Sequence, residues 1–382
     1  MVGLCAHGLA IVRALGKSGV PVIALEADPD LPGCRTRYAQ VHYVPDINGY
    51  GLITALQSLR QNVPSNPVLI LTNDNMVRTV GQNWEQLQGL YRLSWAECRE
   101  RLLPLLDKSA LEAHCLAQQL PYPHSQLLSH SEQVDTLLTA GQLTFPLIVK
   151  PTRPLSGFKV RLIHDRNGLD TLIHRYANAL PFLLQQWIPG DDRRILFVAF
   201  YLDQGQILAT FCGRKLASYP PAMGQTTTAE AFSHQQAQAL SERFFQPLRL
   251  SGPVSLEIKL DQNDQPWIIE PTLGRTDYWL DCCVANRVNL PLVEYQHQSG
   301  LPIHTPQQTS GVIWFDTERR PLSYLGLRLR GGETATHPWK ARFAYWDNTG
   351  TAPFRHGIVR LAKKTASRVF NRLRKVTTKN PL

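Results

Sequence analysis

The sequence predicts an α/β protein that begins with a parallel α/β domain and continues into lobes of mixed α+β structure. Residues 20–25 and 67–72 are short, continuously apolar runs separated by helical periodicity, which is typical of buried parallel strands. Further along, residues 254–260 and 267–272 alternate between apolar and polar side chains, as the strands of a hairpin do. The change of pattern near residue 106 separates the two architectures.

The amino-acid composition is that of an ordinary globular protein. With 382 residues, of which 43% are hydrophobic, the chain can form two or three domains with their own cores. No apolar run approaches the roughly eighteen residues that a membrane-spanning helix needs. Seven cysteines without metal-ligand spacing fit free thiols in a reducing compartment, so we expect a cytoplasmic protein.

The N-terminal residues lack the charged start that opens a signal peptide. They lead directly into a helical pattern over residues 8–19. Because the chain begins almost at a strand-to-helix loop, we expect the first strand of the parallel domain to be missing or reduced to a few residues.

The positive charge is concentrated at the C-terminal end. The net charge is +10, and residues 355–382 contain nine Lys or Arg and no acidic residue, which leaves +1 for the preceding 354 residues. A nearly neutral body argues against nucleic-acid binding. The tail has one apolar helical face. This pattern suits a helix that lies on a protein partner or on an anionic membrane, at the inner membrane face. A solvated terminus explains the pattern equally well.

Two glutamates in the predicted hairpin form the most informative pair of side chains. Glu257 and Glu270 lie in strands joined by residues 261–265, which have the composition of a turn. Pairing of the strands puts both carboxylates on one face, where they repel each other unless a cation lies between them. Such oxygen ligands suit Mg²⁺ bound to nucleotide phosphates. The alternative is a hairpin with two exposed acids.

Two lysines precede this hairpin. Lys108 lies at the start of a predicted helix, and Lys150 follows the apolar strand residues 145–149, where a charge needs a partner. A loop, the strand 182–188 and an acidic turn at 189–192 come next. Lysine, lysine, loop, strand, acidic turn and paired carboxylates make an order of six elements that chance rarely produces.

This order resembles the ATP-grasp superfamily of carboxylate–amine ligases, typified by D-alanine ligase, biotin carboxylase and carbamoyl phosphate synthetase. The resemblance extends over residues 1–300. It implies an ATP-grasp fold in which a parallel pre-ATP-grasp domain precedes two grasping lobes. The expected segments are the pre-ATP-grasp domain at 1–105, a small lobe at 106–182, a large lobe at 183–300, a C-terminal extension at 301–354 and a basic amphipathic tail at 355–382.

The resemblance implies roles in nucleotide binding. Lys108 and Lys150 are the lysines expected at the phosphates of ATP. The phosphate-covering loop at 152–158 has one glycine where relatives have several, so Lys159 is expected to add side-chain charge in place of backbone contacts. The remaining nucleotide contacts are the adenine linker, Gln185, Gln186, Trp187 and Ile188, and the ribose-binding carboxylate, Asp192.

The resemblance also implies a metal site. Glu257 and Glu270 are the expected ligands of Mg²⁺ or Mn²⁺ bound with ATP. Thr272 occupies the position at which relatives commonly have asparagine. A threonine hydroxyl can bind Mg²⁺, so we include Thr272 as a ligand.

Three basic residues are expected to act in catalysis. Arg275 is placed to stabilise the negative charge that develops during transfer. Lys215 or Arg214, expected at a strand end before a mobile segment at 219–228, would reach the γ-phosphate. The Gly, Pro and Thr content of that segment is the reason to expect mobility.

The implied activity is ATP-dependent ligation. ATP phosphorylates a substrate carboxylate, and an amine attacks the acyl phosphate to give an amide. Residues 270–278 resemble a subgroup associated with bacterial cell-surface polysaccharide systems. The expected partners are ATP, a small-molecule carboxylate, an amine and a second copy of the chain. The alternatives are an ATP-binding module without turnover and an interaction protein that acts through its tail.

Overall fold

The N-terminal region is a small parallel α/β unit. The computed structural model of the protein describes residues 1–61, 63, 66–152, 158, 160–330, 334 and 338–363. Its first elements are α1 (Ala6–Gly16), β1 (Ile23–Glu26), β2 (Gln40–Tyr43), α2 (Tyr50–Arg60), α3 (Asp74–Gln82) and α4 (Arg99–Leu102). Strands β1 and β2 pair in parallel; β1 lies in the predicted strand at 20–25, whereas β2 was not predicted from the sequence.

The first extended segment of the N-terminal unit is short. Val2 forms a parallel bridge with Leu25, and its amide donates to the carbonyl of Ile70 at 3.0 Å. The predicted strand at 67–72 is likewise shorter than expected, since it is held by a single parallel bridge from Val68 to Arg92. Extended segments thus lie on both sides of the N-terminus, and their carboxyl ends lead to α1 and α3.

A four-stranded antiparallel sheet forms the small lobe. Its elements are α5 (Lys108–Ala117), β3 (Ser125–Leu128), α6 (Gln133–Thr139), β4 (Leu147–Pro151), β5 (Arg161–Ile163), α7 (Arg166–Arg175) and β6 (Phe182–Gln186). The strands pair in the order β3-β6-β4-β5. Val149 and Leu184 point into a core shared with α6 and α7, so the alternating neighbours Lys150 and Gln185 lie on the other face.

A seven-stranded sheet forms the large lobe. Its elements are β7 (Ile195–Asp203), β8 (Gln206–Tyr219), β9 (Gln225–Ala231), α8 (Gln235–Phe245), β10 (Gly252–Leu260), β11 (Pro266–Leu273), α9 (Leu280–Ala285), α10 (Leu290–Gln298), β12 (Val312–Phe315), α11 (Ser323–Arg330), β13 (Lys340–Phe343) and a helix at 352–363, α12. The order is β11-β10-β7-β8-β9-β12-β13; β12 and β13 pair in parallel, and the other neighbours in this order pair antiparallel. The expected C-terminal extension therefore completes this sheet.

Helices cover both faces of the large sheet. On one face, Phe197 stacks on Trp279 with ring centroids 3.8 Å apart, in a core shared with α1, α9 and α10. On the other face, Phe200 packs on Phe245 of α8, in a core that continues into the N-terminal unit. The hairpin β10–β11 consequently forms one edge of the sheet beside the N-terminal unit.

The expected mobile segment at 219–228 is wrong in its second half. Strand β8 runs on to Tyr219, a short turn follows, and β9 begins at Gln225. Thr226, Thr227 and Thr228 are buried because β9 lies between β8 and β12. The segment has the composition of a loop, but pairing with β12, which lies nearly ninety residues later in the chain, holds it as a buried strand.

The start of the basic tail packs against the body of the protein. Arg360 of α12 pairs with Asp28 at 3.1 Å, with Asp30 at 3.3 Å and with Glu318 at 3.5 Å. The rest of the predicted amphipathic tail, 364–382, lies outside the described residues. None of the helices in the described ranges combines the length and the apolar character needed to cross a membrane.

A buried carboxyl group at the junction of α10 and the N-terminal unit should make stability depend on pH. The Ser94 hydroxyl donates to Glu294 at 2.6 Å, and burial raises the pKa of Glu294 from 4.5 to about 7. As pH rises from about 4.5 to 7, the unfolded chain loses this proton before the folded chain does, so the free energy of unfolding falls by about 3 kcal/mol.

Replacing Glu294→Gln should remove that dependence. Urea unfolding at a series of pH values is expected to show the variant gaining about 3 kcal/mol over the wild type between pH 4.5 and 7. Glu85→Gln, at an exposed position, is the matched control. Parallel pH profiles for wild type and Glu294→Gln would contradict the assignment.

Candidate functional site

The predicted hairpin with paired glutamates is confirmed. Glu257 of β10 lies directly opposite Glu270 of β11, and a turn at 261–265 joins the strands. A bulge follows this pair, since Ile258 pairs with Ile268 and Ile269 is extra. The two carboxylates therefore share one face of the sheet edge.

A lysine from the neighbouring strands offsets one of these charges. Lys215 lies in the middle of β8, and its Nζ is 3.1 Å from Oε1 of Glu257. Its side chain is only 6% exposed. Strand register explains the contact, because Glu257, Phe197 and Gly213 are successive cross-strand partners and Lys215 follows Gly213 on the same face.

Two lysines of the small lobe act on the other carboxylate. The side chain of Glu270 is exposed at the sheet edge. Desolvation by the surrounding protein raises its pKa, whereas the positive charges of Lys150 and Lys108 lower it. Burial lowers the pKa of Lys150, and Glu270 raises it. The pKa of Lys108 is shifted by the same two causes in the same directions. Mutual attraction across the cleft thus opposes the cost of removing these charges from water.

The side chain of Gln185 holds Lys150 in place. Its Oε1 accepts from Nζ of Lys150 at 2.8 Å, and its Nε2 donates to the Ser125 hydroxyl at 3.0 Å. Gln185 is 3% exposed, so its side chain is already committed inside the small lobe. The following Gln186 is exposed at the end of β6, and its backbone N–H donates to the carbonyl of His124.

The rest of the linker leads to the acidic turn. Trp187 is half-buried and Ile188 buried. Both carboxylate oxygens of Asp192 lie within 2.9 Å of the Ser218 hydroxyl, at the end of β8. Lys259 of β10 donates to the carbonyl of Gly190 at 2.7 Å. The turn is therefore fixed to two strands of the large sheet.

A loop after β11 connects the carboxylates to the N-terminal unit. Arg275 donates to Asp74, the first residue of α3, at 2.6 Å. The next residue, Thr276, lies 2.7 Å from Nε2 of His7 in α1. Burial and the positive charge of Arg275 lower the pKa of His7 to about 4, so His7 is neutral at pH 7.

A hydroxyl pair fixes the acid that follows in the same loop. The hydroxyls of Thr272 and Ser255 donate to Oδ2 of Asp277 at 3.0 and 3.3 Å. Cross-strand pairing places Thr272 beside Ser255, on the face that carries the two glutamates. The described residues include no group of three or more His, Cys, Asp or Glu side chains placed to hold a metal.

Solved structures share this architecture. A carboxyaminoimidazole ribonucleotide synthetase bound to ADP has a TM-score of 0.66 at 15% identity, with 89% of each chain covered. A Staphylococcus aureus carboxyaminoimidazole synthetase has a TM-score of 0.65 at 14% identity over 88% of this chain and 85% of that chain. No family model matches the chain, and no curated protein sequence matches it significantly.

A biotin carboxylase domain from Hydrogenobacter thermophilus, crystallised with MgADP and bicarbonate, has a TM-score of 0.63 at 12% identity. It matches 82% of this chain, which covers 72% of that domain. The chain has the ATP-grasp fold. Identities this low establish the fold alone.

Within the ATP-grasp fold, the structure separates the two basic residues proposed for the γ-phosphate. Lys215 faces Glu257, whereas Arg214 lies on the opposite face of β8. There Arg214 pairs with Glu230 at 2.6 Å and stacks over the ring of Phe232 at 4.2 Å. Of the two alternatives, these contacts favour Lys215, because alternation along a continuous strand turns Arg214 away from the face that carries Glu257. Lys159 lies outside the described residues.

Three further residues near the carboxylate pair were not selected from the sequence. Lys259 could have been found, since it lies two positions after Glu257 on the same strand face. Ser218 and His7 carry no such signal, because each is positioned by a contact between separate segments of the chain.

The charge network predicts a coupled titration. Replacing Glu270→Gln should lower the pKa of Lys150 further, because the carboxylate that opposes burial is gone. Carbon-13 NMR titration of lysine Cε resonances, with Lys150→Arg for assignment, measures the shift. Glu85→Gln should leave the resonance unchanged. An unaltered Lys150 titration in Glu270→Gln would show that the two lobes are not electrostatically coupled.

Proposed function

We propose that the protein is an ATP-dependent ligase that activates a carboxylate as an acyl phosphate and joins it to an amine. The observation that carries the proposal is the Glu257–Glu270 pair, which faces Lys150 and Lys108 of the other lobe. Opposite charges on facing lobes, around paired carboxylates, suit a bound polyphosphate. The ADP and MgADP complexes of proteins with the same fold support this reading.

The carboxylate pair fits a magnesium ion. Mg²⁺ in proteins is commonly held by one or two carboxylates, with phosphate oxygens and waters completing the shell. Glu257 and Glu270 supply two carboxylates side by side, and the ion would neutralise charge on the β- and γ-phosphates when bound. Mn²⁺ has the same ligand preferences, so it is an alternative ion for this pair.

Side chains of this chain would perform three tasks. Lys150, Lys108 and Lys215 would offset phosphate charge, and Asp192, oriented by Ser218, would accept from the ribose hydroxyls. Arg275, fixed by Asp74, would face the reacting groups. The backbone of 185–188 would contact adenine, since the side chain of Gln185 is already engaged.

The reaction has two steps. A carboxylate oxygen of the substrate bonds to the γ-phosphorus while the bond from that phosphorus to the β–γ bridging oxygen breaks, and ADP leaves. The amine nitrogen then attacks the acyl carbon, loses a proton and expels inorganic phosphate. Closure of the two lobes would exclude water, which otherwise hydrolyses the acyl phosphate.

The substrate class is a narrower proposal. Because residues 270–278 resemble ligases of cell-surface polysaccharide systems, amino sugars and uronic acids are our first candidates. Bicarbonate is another carboxylate to test, since it accompanies MgADP in the biotin carboxylase domain.

A second candidate function is nucleotide binding without turnover. Thr272 stands where relatives commonly have asparagine, and its hydroxyl already donates to Asp277. Lys215 is likewise engaged with Glu257. In a protein that only binds nucleotide, these contacts would serve to stabilise the binding site.

Loss of one metal-binding carboxylate should abolish turnover. We expect Glu270→Gln to lower the rate of ADP release by about 100-fold or more, because the amide keeps the shape of the side chain but not its charge. A coupled ADP-release assay with Mg²⁺, applied to Glu85→Gln as control, measures this. Equal rates in wild type and Glu270→Gln would exclude the pair from catalysis.

A substrate screen distinguishes the two candidate functions. Wild-type protein is assayed for ADP release with pairs of amino acids, amino sugars, uronic acids and bicarbonate, and ATP binding is measured by calorimetry. A ligase should bind ATP and respond to at least one pair. In Thr272→Asn, we expect turnover with that pair to be retained. ATP binding with no response to any pair would favour the binding module.

A further inference from the structure

Helix α11 displays a row of exposed leucines. Leu322, Leu325 and Leu329 are 71%, 52% and 84% exposed. Their spacing of three and four residues puts them on one face of a helix. The amide of Gly326 donates to the carbonyl of Leu322, so Leu322 continues the helical geometry although α11 begins at Ser323. We call these three side chains the leucine row.

The opposite face of α11 anchors the helix to the large lobe. Tyr324 and Leu327 pack against a core that includes Phe315 and Trp339. The ring of Tyr324 lies 5.6 Å from that of Phe315 and 5.9 Å from that of Trp339. Because Tyr324 and Leu327 face the core, the leucine row on the opposite face of the helix points toward solvent.

Two exposed arginines lie in or next to α11. Residues 319–332 contain four arginines and no acidic residue. Arg320 and Arg328 are exposed, and the guanidinium of Arg328 lies 3.9 Å from the centre of the Trp339 ring. An apolar row flanked by arginines is the composition of a helix that binds the surface of an anionic bilayer.

We propose that α11 docks the protein on an anionic lipid surface, with the leucine row inserted among the lipids and Arg320 and Arg328 at the headgroups. This surface is independent of the ATP-grasp cleft and goes beyond the proposed ligase activity. The leucines project from a helix and do not line a groove, so they can insert into the interior of a lipid bilayer. A symmetric contact between two copies would bring the arginines of one α11 against those of the other, at an electrostatic cost.

The sequence of the chain end supplies a second source of attraction. Residues 364–382 carry six Lys or Arg and no acidic residue. Basic residues close to an anionic surface are attracted to it. Stable peripheral binding commonly needs two membrane-binding features. The leucine row would supply the apolar feature, and the basic residues would supply the electrostatic one.

Vesicle co-sedimentation of the full chain tests the proposal. Vesicles of phosphatidylcholine alone are compared with vesicles containing about one-third phosphatidylglycerol. We expect binding to the anionic vesicles, and a loss of about tenfold in apparent affinity in the Leu325→Glu, Leu329→Glu double variant. Leu329→Glu alone, at the most exposed position, should give part of this loss. Leu116→Glu, at a 72% exposed position of α5, is the control and should bind normally.

Four outcomes would overturn the proposal. They are failure of the wild type to bind anionic vesicles, equal binding to neutral vesicles, unchanged binding by the double variant, and loss of binding only when 364–382 is removed. Sedimentation velocity adds a further check, since a dimer that the double variant converts to a monomer, without vesicle binding, would assign the row to a second copy. Retained thermal unfolding in each variant shows that the fold is intact.

Discussion

The repulsion between Glu257 and Glu270 is the constraint around which the cleft is organised. Two carboxylates directly opposite each other in a hairpin cannot both stay charged at low cost without cations. The protein meets this need from separate segments, with Lys215 on the same sheet and Lys150 and Lys108 on the other lobe. Electrostatic attraction thus links the paired carboxylates of the large sheet to Lys150 and Lys108 of the other lobe.

A second set of contacts positions the hairpin relative to the N-terminal unit. Arg275 reaches Asp74 and Thr276 reaches His7, and both pairs join segments more than 200 residues apart. Because His7 is neutral and buried, it acts as a polar spacer and adds no charge beside Arg275. Movement of the N-terminal unit would therefore displace the loop that follows Glu270.

Local patterns in the sequence predict a large part of this site. Alternation with a period of two, together with the turn at 261–265, is enough to pair Glu257 with Glu270. A lysine after an apolar strand is enough to mark Lys150, since a charge in that position needs a partner. The ATP-grasp fold follows from the order of these elements, which survives even where individual residues depart from the family pattern.

Contacts between distant segments account for what the sequence does not predict. The continuation of β8 past Lys215 depends on pairing with β9, and alternation along β8 puts Lys215 and Arg214 on opposite faces. Burial of Thr226 depends on neighbouring strands, and the position of Asp277 depends on hydroxyls from two strands. No local window contains this information.

Calorimetric titration with ATP, with and without Mg²⁺, tests the central claim most directly. If Glu257 and Glu270 form the magnesium end of an ATP site, Mg²⁺ should tighten ATP binding by the wild type by about tenfold or more. In the Glu257→Gln, Glu270→Gln double variant this effect should disappear, and ATP without Mg²⁺ should bind at least as tightly as to the wild type, because two repelling charges are gone. A double variant that keeps the full Mg²⁺ effect would contradict the account.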